Sequence, residues 1–246
     1  IFCYKDRPFQ LKEYLRSLKR CVKPIGKITV IYKTTSPEFA TRYEKLVAKH
    51  SDVEWLDETS DSYIGLMLRT IFNTEYPYVM FNVDDVYWMR PYDAQIGTVL
   101  MEETGALCVH VRLHPHLNIC QSAGGMFMSA PACGVVSEHM LYDRSAFKYD
   151  FNYPFDLTGS IYRTSDLRTL FNVFTQHGDV NSLNHPNLLE GHMDAFFRKH
   201  SSVLTFDHVN VLMPTVAPMV SFAVNRVQEV SANPTFDCVI SKPEMC

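Results

Sequence analysis

The chain has 246 residues, 46% hydrophobic and 20% charged, which is ordinary for a folded protein and excludes disorder as its overall state. Its 23 Lys and Arg stand against 27 Asp and Glu, and the net charge of −4 excludes a general basic field for nucleic acid. The length suits one large α/β domain. The longest apolar window, Val211 to Val224, is broken by Pro214 and Pro218 and falls short of the roughly 20 residues that cross a bilayer.

Residues 1–4 (Ile-Phe-Cys-Tyr) read as a short buried strand, followed by the polar turn Lys5-Asp6-Arg7 and by Pro8 at a first helical position. Leu11, Tyr14, Leu15, Leu18 and Val22 then recur at helical spacing, with Lys12, Arg16, Lys19 and Arg20 off that face. Ile28 to Tyr32 is a second apolar strand. Ser36-Pro37 caps a second helix with Phe39, Tyr43, Leu46 and Val47 inward. Val53 to Leu56 is a third strand, ending in Asp57-Glu58. Asp61 opens a third helix with Ile64, Met67, Leu68 and Ile71 on one face, leading to the strand 78–83.

Strands alternating with helices predict a mostly parallel central sheet with helices on both faces, and in such sheets ligands bind beyond the carboxyl ends of the strands. The second half is less regular. Gly105 to Val111 and Gly125 to Ser129 read as strands, 142–160 is rich in aromatics and turn formers, and 181–191 reads as a loop entering a helix.

The strand 78–83 ends abruptly in Asp84-Asp85. Adjacent carboxylates repel, so one is protonated or both need a cation, and a divalent metal carrying phosphates meets that need. Lys5 and Arg7 stand at a helix start, where the dipole disfavours cations; they ask for an anion. Seven cysteines without C-x-x-C spacing argue against a disulfide framework or a zinc knuckle, and with no N-x-S/T acceptor they lean toward a cytoplasmic setting.

In this order of elements, chiefly over residues 1 to about 130, the chain resembles the GT-A fold of nucleotide-sugar-dependent glycosyltransferases, family-2-like. The features that carry the likeness are Tyr4-Lys5-Asp6-Arg7, Asp57, Arg69 and Asn82-Val83-Asp84-Asp85, an N-V-D-D variant of the D-x-D motif. The resemblance implies a single domain over 1–246, with a nucleotide-sugar-binding half (1–130) and an acceptor-side half (131–246). It implies a transferase moving a sugar from a nucleoside-diphosphate donor, UDP first, to a hydroxyl acceptor of carbohydrate or other type. Tyr4, Lys5, Arg7, Asp57, Arg69 and Asp84 would hold the donor. Asp85, with Asp84 and a late histidine, His192 or His208, would hold Mn2+ or Mg2+.

Deprotonating an acceptor hydroxyl calls for a base across the sugar from the leaving diphosphate. The segment Pro186 to Asp194 offers Glu190 first and Asp194 second, one turn apart; Asp156 is third. His110, His114 and His116 read as rim residues, Arg163 and Arg226 as contacts to the diphosphate or an acidic acceptor or equally as paired structural arginines, and Tyr87, Trp88 and the aromatics from 142 to 162 as candidates to stack on sugar rings, core packing being the commoner use of such residues. The rival readings are a nucleotide-binding module without turnover, suggested by Asn82, and a sugar-nucleotide nucleotidyltransferase. The latter asks for a Gly-rich loop after the first strand, and Lys5-Asp6-Arg7-Pro8 contains no glycine.

Overall fold

A computed structural model describes residues 5–83, 85–120, 123–131 and 134–221. Tyr4, Asp84 and Arg226, and the expected strand at 1–4, lie outside the described residues.

Helix α1 (Pro8–Cys21) starts on Pro8, whose fixed φ suits a first helical turn, and buries Leu11, Tyr14, Leu15 and Leu18. Strands β1 (Val22–Lys23) and β2 (Ile28–Tyr32) follow. Helix α2 (Pro37–Lys49) is capped by the Ser36 hydroxyl, which accepts the Phe39 N–H, and buries Tyr43 and Leu46. After β3 (Val53–Asp57), α3 (Tyr63–Asn73) is capped by Ser62, one residue later than the sequence suggests. Then come β4 (Tyr78–Phe81), β5 (Val86–Trp88), β6 (Tyr92–Asp93) and α4 (Ala94–Thr104), which ends on Gly105 in the left-handed region.

The later part holds β7 (Cys108–His110), the short pair β8 (Ile119–Cys120) and β9 (Met126–Phe127), β10 (Gly134–Val136), β11 (His139–Asp143) and two 3-10 turns, Arg144–Ala146 and Tyr149–Asn152. It continues with β12 (Ser160–Arg163), α5 (Thr164–His177), a 3-10 turn (Val180–Leu183), α6 (Pro186–His200), β13 (Asn210–Pro214) and β14 (Met219–Ser221).

The fold is mixed α/β. Its largest sheet has six strands in the order β10-β11-β13-β7-β12-β4. The expectation of mostly parallel pairing is corrected here, because within that sheet only β13 and β7 pair in parallel, while β2 and β3 form a separate parallel pair. The reason is topological. Strands β4 and β7 run in the same direction, as a crossover through α4 requires, but β12 arrives later in the chain and inserts antiparallel between them.

Successive residues of β12 face opposite sides, so Ile161 joins one core with Leu15, Val30, Trp88 and Val109, while Tyr162 joins the other with Phe81, Phe155 and Phe171. Trp88 is fully buried, which assigns it to the core, the commoner of its two expected uses, and not to a sugar ring.

Candidate active site

The turns that follow the early strands gather around the start of α6. Asp6 donates its N–H to the Lys33 carbonyl just beyond β2, and Glu58 donates its own to Tyr32 beside the end of β3. The Ile64 N–H at the start of α3 donates to Asn184 Oδ1. His185 caps α6 by accepting the Asn187 N–H on Nδ1, and Lys5 is close enough to help burial hold the His185 pKa down. From α6, Glu190 reaches the loop 156–159, whose Gly159 N–H donates to the Phe81 carbonyl at the end of β4. Lys5, beside His185, and Glu58 and Glu190, which both act on Tyr63, therefore stand around the start of α6 as a candidate rim.

Asp57 Oδ1 accepts the Thr59 N–H at 2.8 Å, an Asx turn that fixes its carboxylate. Glu58 is half-buried, and burial pushes its carboxyl up to about 7, against the pull of Lys33. Asp85 is partly buried in the turn between β4 and β5. Asn82, at 2% exposure, presents Oδ1 with no hydrogen-bond partner among the described residues and lines a cavity of about 690 Å³ that Ile28, Thr29, Glu54, Arg69 and Met80 also line. A carboxylate there would be a buried charge, which explains why an amide suits this position.

On the acceptor side, Arg112 follows β7 and forks between two acids. Its Nε lies 2.5 Å from Asp156 Oδ2 and its Nη1 lies 2.9 Å from Asp150 Oδ2. Asp156 is 2% exposed and also accepts the Thr158 N–H at 2.7 Å. The Cys120 thiol donates to Asp150 Oδ1 at 3.2 Å. Glu190 accepts the Leu157 N–H at 2.7 Å and lies beside Asp156; burial first, and that neighbouring carboxylate second, push it up to about 8. Asp150 and Asp156 thus share one guanidinium, and Glu190 stands beside Asp156.

Other expected residues sit as follows. Arg7 is buried at the start of α1, and its N–H lies 3.4 Å from the Tyr43 hydroxyl oxygen. Arg69 is exposed and ion-paired with Asp61 at 3.6 Å. Asp194 pairs with Arg198 one turn later through two contacts of 2.9 Å, which ties it to its own helix. His192 Nδ1 lies 3.0 Å from Ser182 Oγ, and His208 Nδ1 lies 3.3 Å from the Phe206 carbonyl.

Arg163 serves structure. It bonds the Met101 and Ala106 carbonyls at the end of α4 as well as Glu102 and Asp166, at the end of β12 away from Ser160. His110 is buried against Ser160 and Cys108, and burial pulls it down to about 4, so it is a neutral core residue and not part of the rim. His114 and His116 remain on the loop after β7, ring centroids 6.2 Å apart. Arg112 and Asp150 were not singled out in the sequence. The available signal was a cation placed directly after the buried run Val109-His110-Val111, which has to find carboxylates.

Among the described residues, no three His, Cys, Asp or Glu side chains gather as a metal cluster, and no helix is long and apolar enough to cross a membrane. Cys21 and Cys108 are buried free thiols, and Cys120 is buried.

No protein-family model matches the chain. In sequence it is similar to the bifunctional glycosyltransferase pgtA of Dictyostelium discoideum, 26% identical over 266 aligned positions that take in all of this chain and 34% of that protein. The chain therefore spans about a third of the length of that curated relative. In structure it is similar to S. aureus TarS 1–349 (TM-score 0.49, 11% identity, 87% of this chain and 59% of that one). It is also similar to the mannosyltransferase PcManGT from Pyrobaculum calidifontis, solved with GDP-Man and Mn2+ (TM-score 0.47, 10% identity, 92% of this chain and 57% of that one).

Proposed function

We propose that the chain is a glycosyltransferase domain moving a sugar from a nucleoside-diphosphate donor, UDP first, to a hydroxyl acceptor, assisted by Mn2+ or Mg2+. The observation that carries the reading is the sequence match that covers the chain from end to end and whose partner is a glycosyltransferase. The loop 156–159 supports it by bonding Glu190 through the Leu157 amide and, through the Gly159 amide, the end of β4 four residues before Asp85.

The donor set suits a hard cation that takes one or two carboxylates and completes its shell with phosphate oxygens and water. Asp85, with Asp84, would hold it, and it would neutralise charge on the leaving diphosphate. Among the described residues, Lys5 supplies positive charge at the rim and Asp57 a fixed acceptor for the nucleoside; Tyr4 is the base-stacking candidate.

Glu190, with Asp156 as its partner, is the base in an inverting transfer. The acceptor hydroxyl gives its proton to the Glu190 carboxylate, the acceptor oxygen bonds the anomeric carbon, and the bond from that carbon to the diphosphate breaks. With its carboxyl raised to about 8, Glu190 carries a proton in most molecules at neutral pH, so transfer is expected to rise with pH toward 8 as the base form appears.

The test is a screen of nucleotide sugars for metal-dependent release of nucleoside diphosphate. Release from a UDP-sugar is expected. No release from any donor, together with no thermal shift from UDP or GDP with Mn2+, overturns the reading.

A further inference from the structure

The buried ionic set around Arg112 meets the loop that bonds the end of β4. Loop 156–159 is held at three points. Asp156 is held by Arg112, Leu157 by Glu190, and Gly159 by the Phe81 carbonyl, while the Gly159 carbonyl accepts the Val111 N–H at 2.8 Å. Arg112 is one residue from Val111, so the Val111 backbone and the Arg112 side chain grip the same loop from one strand end.

The guanidinium is planar and its two bonds diverge, which fixes Asp156 in direction as well as distance; an ammonium in its place would lack that fork. Asp150 closes the fork from the 3-10 turn at Tyr149–Asn152, and Cys120 closes Asp150 from β8. Asp156 in turn stands beside Glu190. The chain of contacts runs from the β8–β9 pair to the start of α6.

We propose that Arg112 is a positioning residue for Glu190. By holding Asp156 and the loop 156–159 it sets where the Glu190 carboxylate meets the acceptor hydroxyl, without touching substrate itself. The proposal deepens the transferase reading and rests on it for its kinetic consequence. Its structural consequence stands apart from activity, because the Leu157 and Gly159 amides report the loop directly.

Two readouts test it. In the first, amide hydrogen exchange is followed at Leu157 and Gly159 in wild type, Arg112→Lys and Arg112→Ala. Exchange at both amides is expected to rise at least about tenfold in Arg112→Ala, and in Arg112→Lys if the alanine variant does not fold, with strand β7 unchanged. Unchanged protection at Leu157 overturns the proposal whether or not the chain transfers sugar.

In the second readout, kcat and donor KM are compared across Arg112→Ala, Glu190→Gln and the double variant. A group misplaced by about 1 Å can slow a reaction on the order of a hundredfold. The single Arg112 change is expected to lower kcat by about 10- to 100-fold with donor KM unchanged. The double variant is expected to be no slower than Glu190→Gln alone, because Arg112 acts through Glu190. Losses that multiply in the double variant, or a change confined to donor KM, overturn it. A wild-type chain without transfer activity but with the expected exchange pattern defeats the transferase reading and leaves the loop-holding role of Arg112 standing.

Discussion

Glu190 and Leu157 lie 33 residues apart in the chain, and the Glu190 carboxylate accepts the Leu157 amide N–H at 2.7 Å. This bond joins α6 to the loop that closes on the end of β4. Replacing Glu190 by glutamine keeps an oxygen that can accept the amide N–H and removes the ability to take a proton. The expected outcome is a folded protein with transfer slowed by about 100-fold or more, the usual scale of general base catalysis. Steady-state rates beside an unchanged circular-dichroism spectrum check it, and transfer at the wild-type rate would remove Glu190 from the mechanism.

The pH dependence of stability follows from the same carboxyl. Glu190 is raised from an ordinary 4.5 to about 8 in the folded chain, so between those values the native state holds a proton that the unfolded state has lost. Its contribution is complete below pH 4.5 and disappears as the pH rises through about 8. Glu58, raised to about 7, acts in the same sense. His110, pulled from 6.5 down to about 4, acts in the opposite sense, its contribution being complete above pH 6.5 and lost as the pH falls toward 4. Between pH 4.5 and 6.5 two carboxyls lose stability against one histidine that gains it, so from these three groups the denaturant midpoint should be highest near pH 4.5, fall below it as His110 charges, and decline along an alkaline arm up to about pH 8. In Glu190→Gln the alkaline arm should flatten, and an unchanged arm would show that the carboxyl titrates normally.

Local signals carried the first half of the fold. The cap of α2 by Ser36 and the start of α1 on Pro8 depend on residues within a turn of each other, and both were legible. The insertion of β12 between β4 and β7 was not, because it pairs Ser160 with Phe81 and with His110, and nothing in either segment alone specifies a distant partner. The site divides in the same way. Asp85 and Glu190 announce themselves as acids at element ends. Arg112 draws its meaning from Asp150 and Asp156, 38 and 44 residues away, a relation that only folding creates.

Gly159 carries a second test of the same loop. Its φ of +71° lies in the left-handed region, and a Cβ there would run into the Met219 thioether of β14, itself buried. Alanine should lose about 1–2 kcal/mol from the backbone conformation alone, with a further loss as Met219 is displaced. Urea unfolding measures it. A change within about 0.5 kcal/mol, the range of an unconstrained surface site, would show that the loop relaxes freely and is not clamped.

Phe155 anchors the loop from the core side. Its ring lies 5.7 Å from Phe81, 5.5 Å from Tyr162 and 6.2 Å from Phe171, and it is fully buried. Phe155→Ala is expected to cost about 3–5 kcal/mol, since three aromatic neighbours cannot all collapse into the space. A loss below about 1 kcal/mol in a two-state denaturant curve would mean that the cluster repacks.

Asp85 bears most of the metal assignment, because Asn82 is buried where the D-x-D pattern has its first acid, and the only other acid of the motif is Asp84. Asp85→Asn keeps the side-chain volume and its hydrogen-bonding shape but removes the charge that a divalent cation needs. The expected result is loss of Mn2+-dependent nucleotide-sugar turnover by about 100-fold or more, with the melting temperature of the free protein close to wild type. The thermal shift caused by UDP with Mn2+ should shrink to that caused by UDP alone, which separates loss of metal from loss of nucleotide. Turnover at the wild-type rate, or a metal-dependent shift that survives the substitution, would place the cation elsewhere. A melting temperature that falls sharply without ligand would instead make Asp85 a structural residue of the β4–β5 turn.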